Sequence, residues 1–208
     1  MGAKTTCDRF LQGKINENQA FNLAVLCSNA SPVYLVATIS CAFLQGFATV
    51  VLLVAHYLSA MIVCIIFNRK NKGEFTQTVC LKQSQNDYMT DTVFTVLNVG
   101  GYVAIFYLIC SMICHLFSID LTNPISAFFL GLLEMTNGAN LLSKSLPIPL
   151  ATPLCCGVVS MGGLCVIFQS LPYLKKCKIK TAPFVMAKIT QGAVATILCW
   201  IGCKFIAF

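Results

Sequence analysis

Apolar residues come in six long runs with polar breaks between them: residues 20–44, 47–67, 93–117, 125–142, 148–172 and 183–206. Each run is close to the roughly 20 residues that a helix needs to cross the hydrocarbon core of a bilayer. Ahead of them, residues 1–19 form a polar segment of mixed charge, with neither the apolar core nor the small-residue cleavage site of a secretory signal. The pattern predicts an all-α integral membrane protein in which residues 20–208 form a single membrane domain.

Two runs carry polar interruptions. Ser28-Asn29-Ala30-Ser31-Pro32 lies inside the first, and Ser160-Met161-Gly162-Gly163 near the middle of the fifth. A continuous helix there would turn polar groups to lipid, and non-helical backbone survives at membrane depth only when covered by protein or facing a watery cavity. Positive charge sharpens the question. Arg69, Lys70, Lys72 and Lys82 follow the second run, and Lys175, Lys176, Lys178 and Lys180 follow the fifth. Six plain crossings would put these two basic loops on opposite sides, against the tendency of Lys and Arg to gather on the cytoplasmic side. If runs one and five are re-entrant hairpins that turn back at their breaks, four full crossings remain. Both loops, with Lys144 between them, then share the cytoplasmic face. The hairpins enter from opposite sides, which is the arrangement of inverted repeats in secondary transporters. The alternative is six plain spans, with kinks at the breaks.

Composition strengthens the membrane reading. The 208 residues are 57% hydrophobic and only 10% charged, with a mean hydropathy of +0.79, against about 25% charged in an ordinary soluble domain. The net charge of +7 sits in the breaks between apolar runs, so it marks loop topology and contact with lipid headgroups, and predicts no nucleic-acid partner. Most of the 13 cysteines lie singly within apolar runs, as Cys27, Cys41, Cys64 and Cys165 do. Cys110 and Cys114, with His115 adjacent, and Cys199 and Cys203 are spaced one helical turn apart. Cysteine packs as a small hydrophobe, no Cys-x-x-Cys pair is present, and so many thiols suit a reducing compartment. No metal site and no cofactor are predicted.

Among polar residues at membrane depth, Glu134 stands out. On insertion scales an ionisable side chain at the centre of a span costs about 2.5–3.5 kcal/mol, which makes it a functional candidate by default. Glu134, Asn137 and Asn140 share one broad helical face, with Thr136 beside them, suited to a coupling cation or a solute. Gly131 and Gly138 flank the stretch, where the helix is expected to unwind and bare its carbonyls. Asn29, Ser31, Ser160 and Gly162 at the two breaks complete the candidate binding set, together with His56, whose commoner role is an interhelical hydrogen bond. Asn98, His115, Gln169 and Gln191 read as packing contacts of the same sort, and Lys188 and Lys204 as side chains that snorkel from the ends of the last run. Signatures of hydrolase, nucleotide-binding and metalloprotease sites are missing, and Asp91 and Asp120 sit at run ends, where caps belong. No catalytic residue is predicted, and the chain does not read as an enzyme.

Gly13-Lys14-Ile15-Asn16 to Ser28-Asn29-Ala30-Ser31-Pro32, then His56-Tyr57-Leu58, then Gly131-Leu132-Leu133-Glu134-Met135-Thr136-Asn137-Gly138 resemble the YlbJ-type sporulation integral membrane proteins. That family carries the nucleoside-recognition gate domain, found also in concentrative nucleoside transporters and ferrous-iron permeases. The Glu-x-Thr-Asn-Gly element is the most specific part. The resemblance covers about residues 13–206. It implies a multi-pass protein of the cytoplasmic membrane, or of a membrane around the forespore, that moves dipicolinic acid or another small planar anion during spore formation. Family members are generally longer, and this chain resembles their C-terminal half, which implies a homodimer or a separately encoded N-terminal half as partner. The alternatives are a non-transporting scaffold of spore maturation and a nucleoside permease.

Overall fold

The computed structural model describes residues 2–40, 46–67 and 88–205. Among them every regular element is helical. Five segments are long and apolar enough to cross a membrane: Glu17–Ala37, Phe47–Phe67, Met89–Leu116, Ile148–Lys176 and Thr181–Phe205. The chain is an all-α, multi-pass membrane protein.

The ten described α-helices start where local chemistry places them. α1 (Gly2–Leu11) lies in the polar N-terminal segment, and α2 (Glu17–Cys27) opens on a capping box in which Asn16 Oδ1 accepts from Gln19 N at 2.8 Å and Gln19 Oε1 accepts from Asn16 N at 3.0 Å. α3 (Pro32–Tyr34) starts at the Ser31 cap and runs on as a π-helical stretch, Leu35–Ser40. α4 (Phe47–Phe67) and α5 (Tyr88–Leu116) are unbroken. α6 (Pro124–Leu133) has Asn123 as its cap and Pro at its first position, α7 (Met135–Ser145) follows after one residue, and α8 (Ile148–Met161) begins after Pro147. α9 (Gly163–Lys176) and α10 (Thr181–Phe205) complete the chain.

Two buried clusters mark the two ends of the bundle. One gathers the start of α4, the α6–α7 pair, α8 and the end of α10, around Leu52, Ala127, Leu142, Val159 and Ala195. The other gathers α1, α2, the end of α4 and the turn from α9 to α10, around Val25, Val63, Leu174 and Phe184. The chain shuttles between them. It leaves the second cluster along α2, reaches the first at Leu35, and returns along α4. α5 starts beside α1, where Lys4 Nζ meets Asp91 Oδ2 at 2.6 Å. α8 and α9 together cross towards the second cluster, and α10 crosses back, packed along α8.

The element that turns back is the fourth run. α6 and α7 pack tightly on each other, and the reversal is made by Glu134 alone, in extended conformation (φ −134°, ψ 113°). Glycine permits the close approach: a Cβ on Gly138 would overlap the Gly131 backbone, and one on Gly131 would meet Val158 Cγ1 at 2.9 Å. Both glycines stay helical, and the unwinding expected at them falls on Glu134. The breaks expected in runs one and five are there, but each lies within a segment that passes between the two clusters, so the hairpin expected at those positions is replaced by a broken crossing. Five long segments plus one hairpin therefore stand in place of four crossings plus two hairpins, or of six plain spans. The physical reason is local. A one-residue interruption flanked by two glycines folds back, whereas α3 and α9 find their partners further along the bundle.

Residues 173–182 and the start of α5 lie at the same end of the bundle. Lys144, in the last turn of α7, lies at the opposite end, because the hairpin returns there; its expected place beside the two basic loops is corrected. Arg69, Lys70, Lys72 and Lys82 lie outside the described residues, as does Cys41. Nine described cysteines are free thiols and six of them are buried, as their places in the apolar runs predict, and one pair departs from that reading. Cys7 and Cys177 form a disulfide across a sequence separation of 170, brought together because α1 lies against α9.

Candidate functional site

Three helix breaks come together in the bundle, the first of them with Ser31 exposed on its outer side. The first is Ser28–Ser31, between α2 and α3. The second is Glu134, between α6 and α7. The third is Gly162–Gly163, between α8 and α9, where both residues take left-handed backbone (φ +82° and +63°) that favours glycine. Tyr34, just past the first break, shares a 2.6 Å hydrogen bond with Thr136 Oγ1, just past the second. At the third break, Gly163 lies against the carbonyls that end α6: a Cβ there would meet the Leu133 and Gly131 oxygens at 3.1 and 3.3 Å.

Glu134 is only 3% exposed. It does not share a continuous helical face with Asn137 and Asn140, as its spacing predicts, because it is the cap of the helix that carries them. Its Oε1 accepts from Thr136 N at 2.9 Å and its Oε2 from Asn137 N at 2.7 Å. The carboxylate sits at the positive end of α7, which compensates part of its burial.

The second buried charge is Lys188, which loop reasoning placed as a snorkelling side chain. It is 1% exposed. Its ammonium donates to Ser28 O and Asn29 Oδ1, both at 2.8 Å, and to Gln191 Oε1 at 3.0 Å. Asn29 Oδ1 also accepts from Gln191 Nε2 at 2.8 Å, and Asn29 Nδ2 donates to Leu26 O at 2.8 Å. Lys188 thus stands at the carbonyl end of α2, the negative end of that helix. The two buried charges mirror each other. Each is matched to a helix end of opposite sign, and among the described residues no ion pair joins them.

His56, fully buried in α4, makes its expected interhelical bond: Nδ1 to Ser160 Oγ at 2.8 Å, two residues before the third break. Its neighbour Tyr57 donates to Ala30 O at 2.9 Å, in the first break. Ser31 is spent as a cap, accepting from Tyr34 N at 3.1 Å. Three buried polar atoms in this interior have no hydrogen-bond partner: His56 Nε2, Ser28 Oγ and Asn140 Oδ1.

Of the residues expected from the sequence, Glu134, Thr136, Asn137, Asn29, Ser31, Ser160, Gly162 and His56 belong to the three breaks and the bonds between them, while Asn140 lies further along α7. Lys188, Gln191, Tyr34 and Tyr57 were missed as site residues. One signal was available for two of them: Lys188 and Gln191 stand three apart on one face of the last apolar run. No described group of three or more His, Cys, Asp and Glu side chains is placed to hold a metal ion. The arrangement offers one buried carboxylate, one buried ammonium and several half-used amide and hydroxyl groups, a set suited to a small polar solute.

The chain matches no protein-family model, no curated protein and no solved structure. What fold and site define is a multi-pass α-helical membrane protein with polar helix breaks in its interior.

Proposed function

We propose that this protein is a membrane transporter, or half of one, for a small solute that binds where the three helix breaks meet. The observation that carries the reading is that convergence: Ser28–Ser31, Glu134 and Gly162–Gly163 lie within reach of one another through Tyr34–Thr136 and Gly163. Discontinuous helices whose ends meet in the interior are the means by which secondary transporters present backbone groups to solutes and ions. Buried ionisable groups are costly in lipid and accompany such pathways. The resemblance to YlbJ-type proteins adds the finer part: a small planar anion such as dipicolinic acid, spore formation as the setting, and the cytoplasmic or a forespore-surrounding membrane as the place. The active unit on this reading is a homodimer, or this chain with a separately encoded N-terminal half.

The test is flux. Purified protein in liposomes that enclose terbium ions should admit external dipicolinate, read as terbium luminescence, and Glu134→Gln should lower the rate by at least about tenfold while the reconstituted amount stays within a factor of about two. The basis is the cost of keeping this carboxylate buried without a role. Full flux in Glu134→Gln would reduce the residue to a helix cap. No flux in the wild type, with spores of a deletion strain holding normal dipicolinate, would favour a scaffold of spore maturation.

A further inference from the structure

We infer that Lys188 is the anion-binding residue of this protein, and that its ligand is a carboxylate which displaces the Ser28 carbonyl and the Asn29 side chain from the ammonium. The inference rests on the transporter reading and names the solute's binding group and the residue that selects it.

The argument starts from charge. All three N–H bonds of the Lys188 ammonium are used, but by neutral acceptors: one backbone carbonyl and two side-chain amides. Hydrogen bonding is therefore satisfied while charge is not, and no described acidic side chain lies within ion-pair distance. Among the described residues the buried carboxylate is that of Glu134, and it is already bonded to two backbone N–H groups of α7. Burial of an ammonium in a low-dielectric interior is strongly unfavourable without an anion, and the carbonyl end of α2 supplies only a partial charge, about half an elementary unit. A carboxylate from solution supplies the whole one. A donor for its second oxygen stands beside the site, the Ser28 hydroxyl, which is buried without a partner.

Exchange of ligands also moves the chain. Ser28 O and Asn29 Oδ1 both belong to the first break, so Lys188 in its present state holds that break against α10. A carboxylate that takes over these two N–H bonds removes two of the bonds between the break and α10 and leaves the one from Gln191 Nε2 to Asn29 Oδ1, while Gln191 Oε1 keeps the third ammonium bond. Anion entry and loosening of the first break thus become one event, with Lys188 as the residue common to both.

The experiment uses the full chain in lipid nanodiscs and equilibrium dialysis with dipicolinate, benzoate and, as a neutral control, benzamide. Wild type should bind the two carboxylates and not benzamide. Lys188→Gln should weaken carboxylate binding by roughly 10- to 100-fold, the range of a charge-assisted hydrogen bond, and Lys188→Arg should restore most of it. Because loss of Lys188 could impair folding, Asn29→Asp provides an independent arm. It places a permanent carboxylate against the ammonium, and binding should fall by a similar factor in a protein that keeps its wild-type thermal transition. Carboxylate binding unchanged in Asn29→Asp or in Lys188→Gln overturns the inference, as does a wild type that binds neither carboxylate. Binding that depends on Lys188 without flux in liposomes would sink the transporter reading and leave the anion site standing. Flux that is indifferent to both substitutions would do the reverse.

Discussion

Two glycines of the same residue type have opposite value in this chain. Gly138 meets Gly131 backbone to backbone inside the α6–α7 hairpin, whereas an added Cβ at Gly100 on α5 would meet nothing within 4 Å. A methyl group at Gly138 has no flexible neighbour to push aside, so Gly138→Ala must open the hairpin and shift Glu134 from its cap. An overpacked site of this kind costs about 1–3 kcal/mol, and more where backbone has to yield. Gly100→Ala instead gains the helix preference of alanine, about 0.8–1 kcal/mol in an exposed helix. Thermal unfolding of the two variants in the same detergent should move in opposite directions, down for Gly138→Ala and level or up for Gly100→Ala. Equal effects would remove the hairpin's close contact as a stabilising feature. Composition does not distinguish these positions: an added Cβ at Gly100 or Gly101 meets nothing within 4 Å, while Gly192 is used inside the molecule against Gly157 and Met161.

At the scale of elements, the hairpin decides which loops share a side. A single reversal between α5 and α8 places Lys144 at one end of the bundle and Lys176 at the other. Single cysteines at these two exposed positions, in a cysteine-free background, should react with an impermeant thiol reagent from opposite faces of sealed vesicles. Reaction of both from one face would overturn the count of five crossings plus one hairpin. Much of this was legible in the sequence. The apolar runs mark the spans to within a few residues, the charge balance demands an extra reversal, and Ser28–Ser31 and Gly162–Gly163 are indeed breaks. The location of the reversal was not legible, because Glu134, Asn137 and Asn140 in the fourth run are spaced as one face of a continuous helix. Only the contact between Gly131 and Gly138 reveals it, and that contact exists only once the chain has turned. Lys188 escaped for a related reason. Distance from the end of a run suggests a route to the interface, but the partner that holds it, the first break, is 159 residues away in sequence.

At the scale of the whole molecule, α5 is the outlier. It touches α9, meets α1 through Lys4 at Asp91 and Thr95 and, more thinly, touches α6, and large apolar side chains from Val93 to Leu116 stand exposed along it. Of the other spans, Ile148–Lys176 is the one mostly enclosed by the rest. A transporter whose polar breaks must be covered on every side is therefore expected to associate, as a homodimer or with an N-terminal half. The mass of the purified protein in mild detergent, corrected for bound detergent, should be at least twice the 22.6 kDa of one chain. A 22.6 kDa particle that moves dipicolinate in liposomes would show that one copy suffices.

The bond between Cys7 and Cys177 has a topological meaning as well as a local one. It closes 170 residues of sequence separation into a covalent ring, and on the loop-entropy scale a closure of that length contributes about 5 kcal/mol by restricting the unfolded chain. The ring contains all three helix breaks, Glu134 and His56. α10, with Lys188 and Gln191, lies outside it. The interior is thus shared between a closed circuit that supplies the broken helices and a single rod, laid against it, that supplies the positive charge; a cut in the peptide anywhere around the circuit would still leave one molecule.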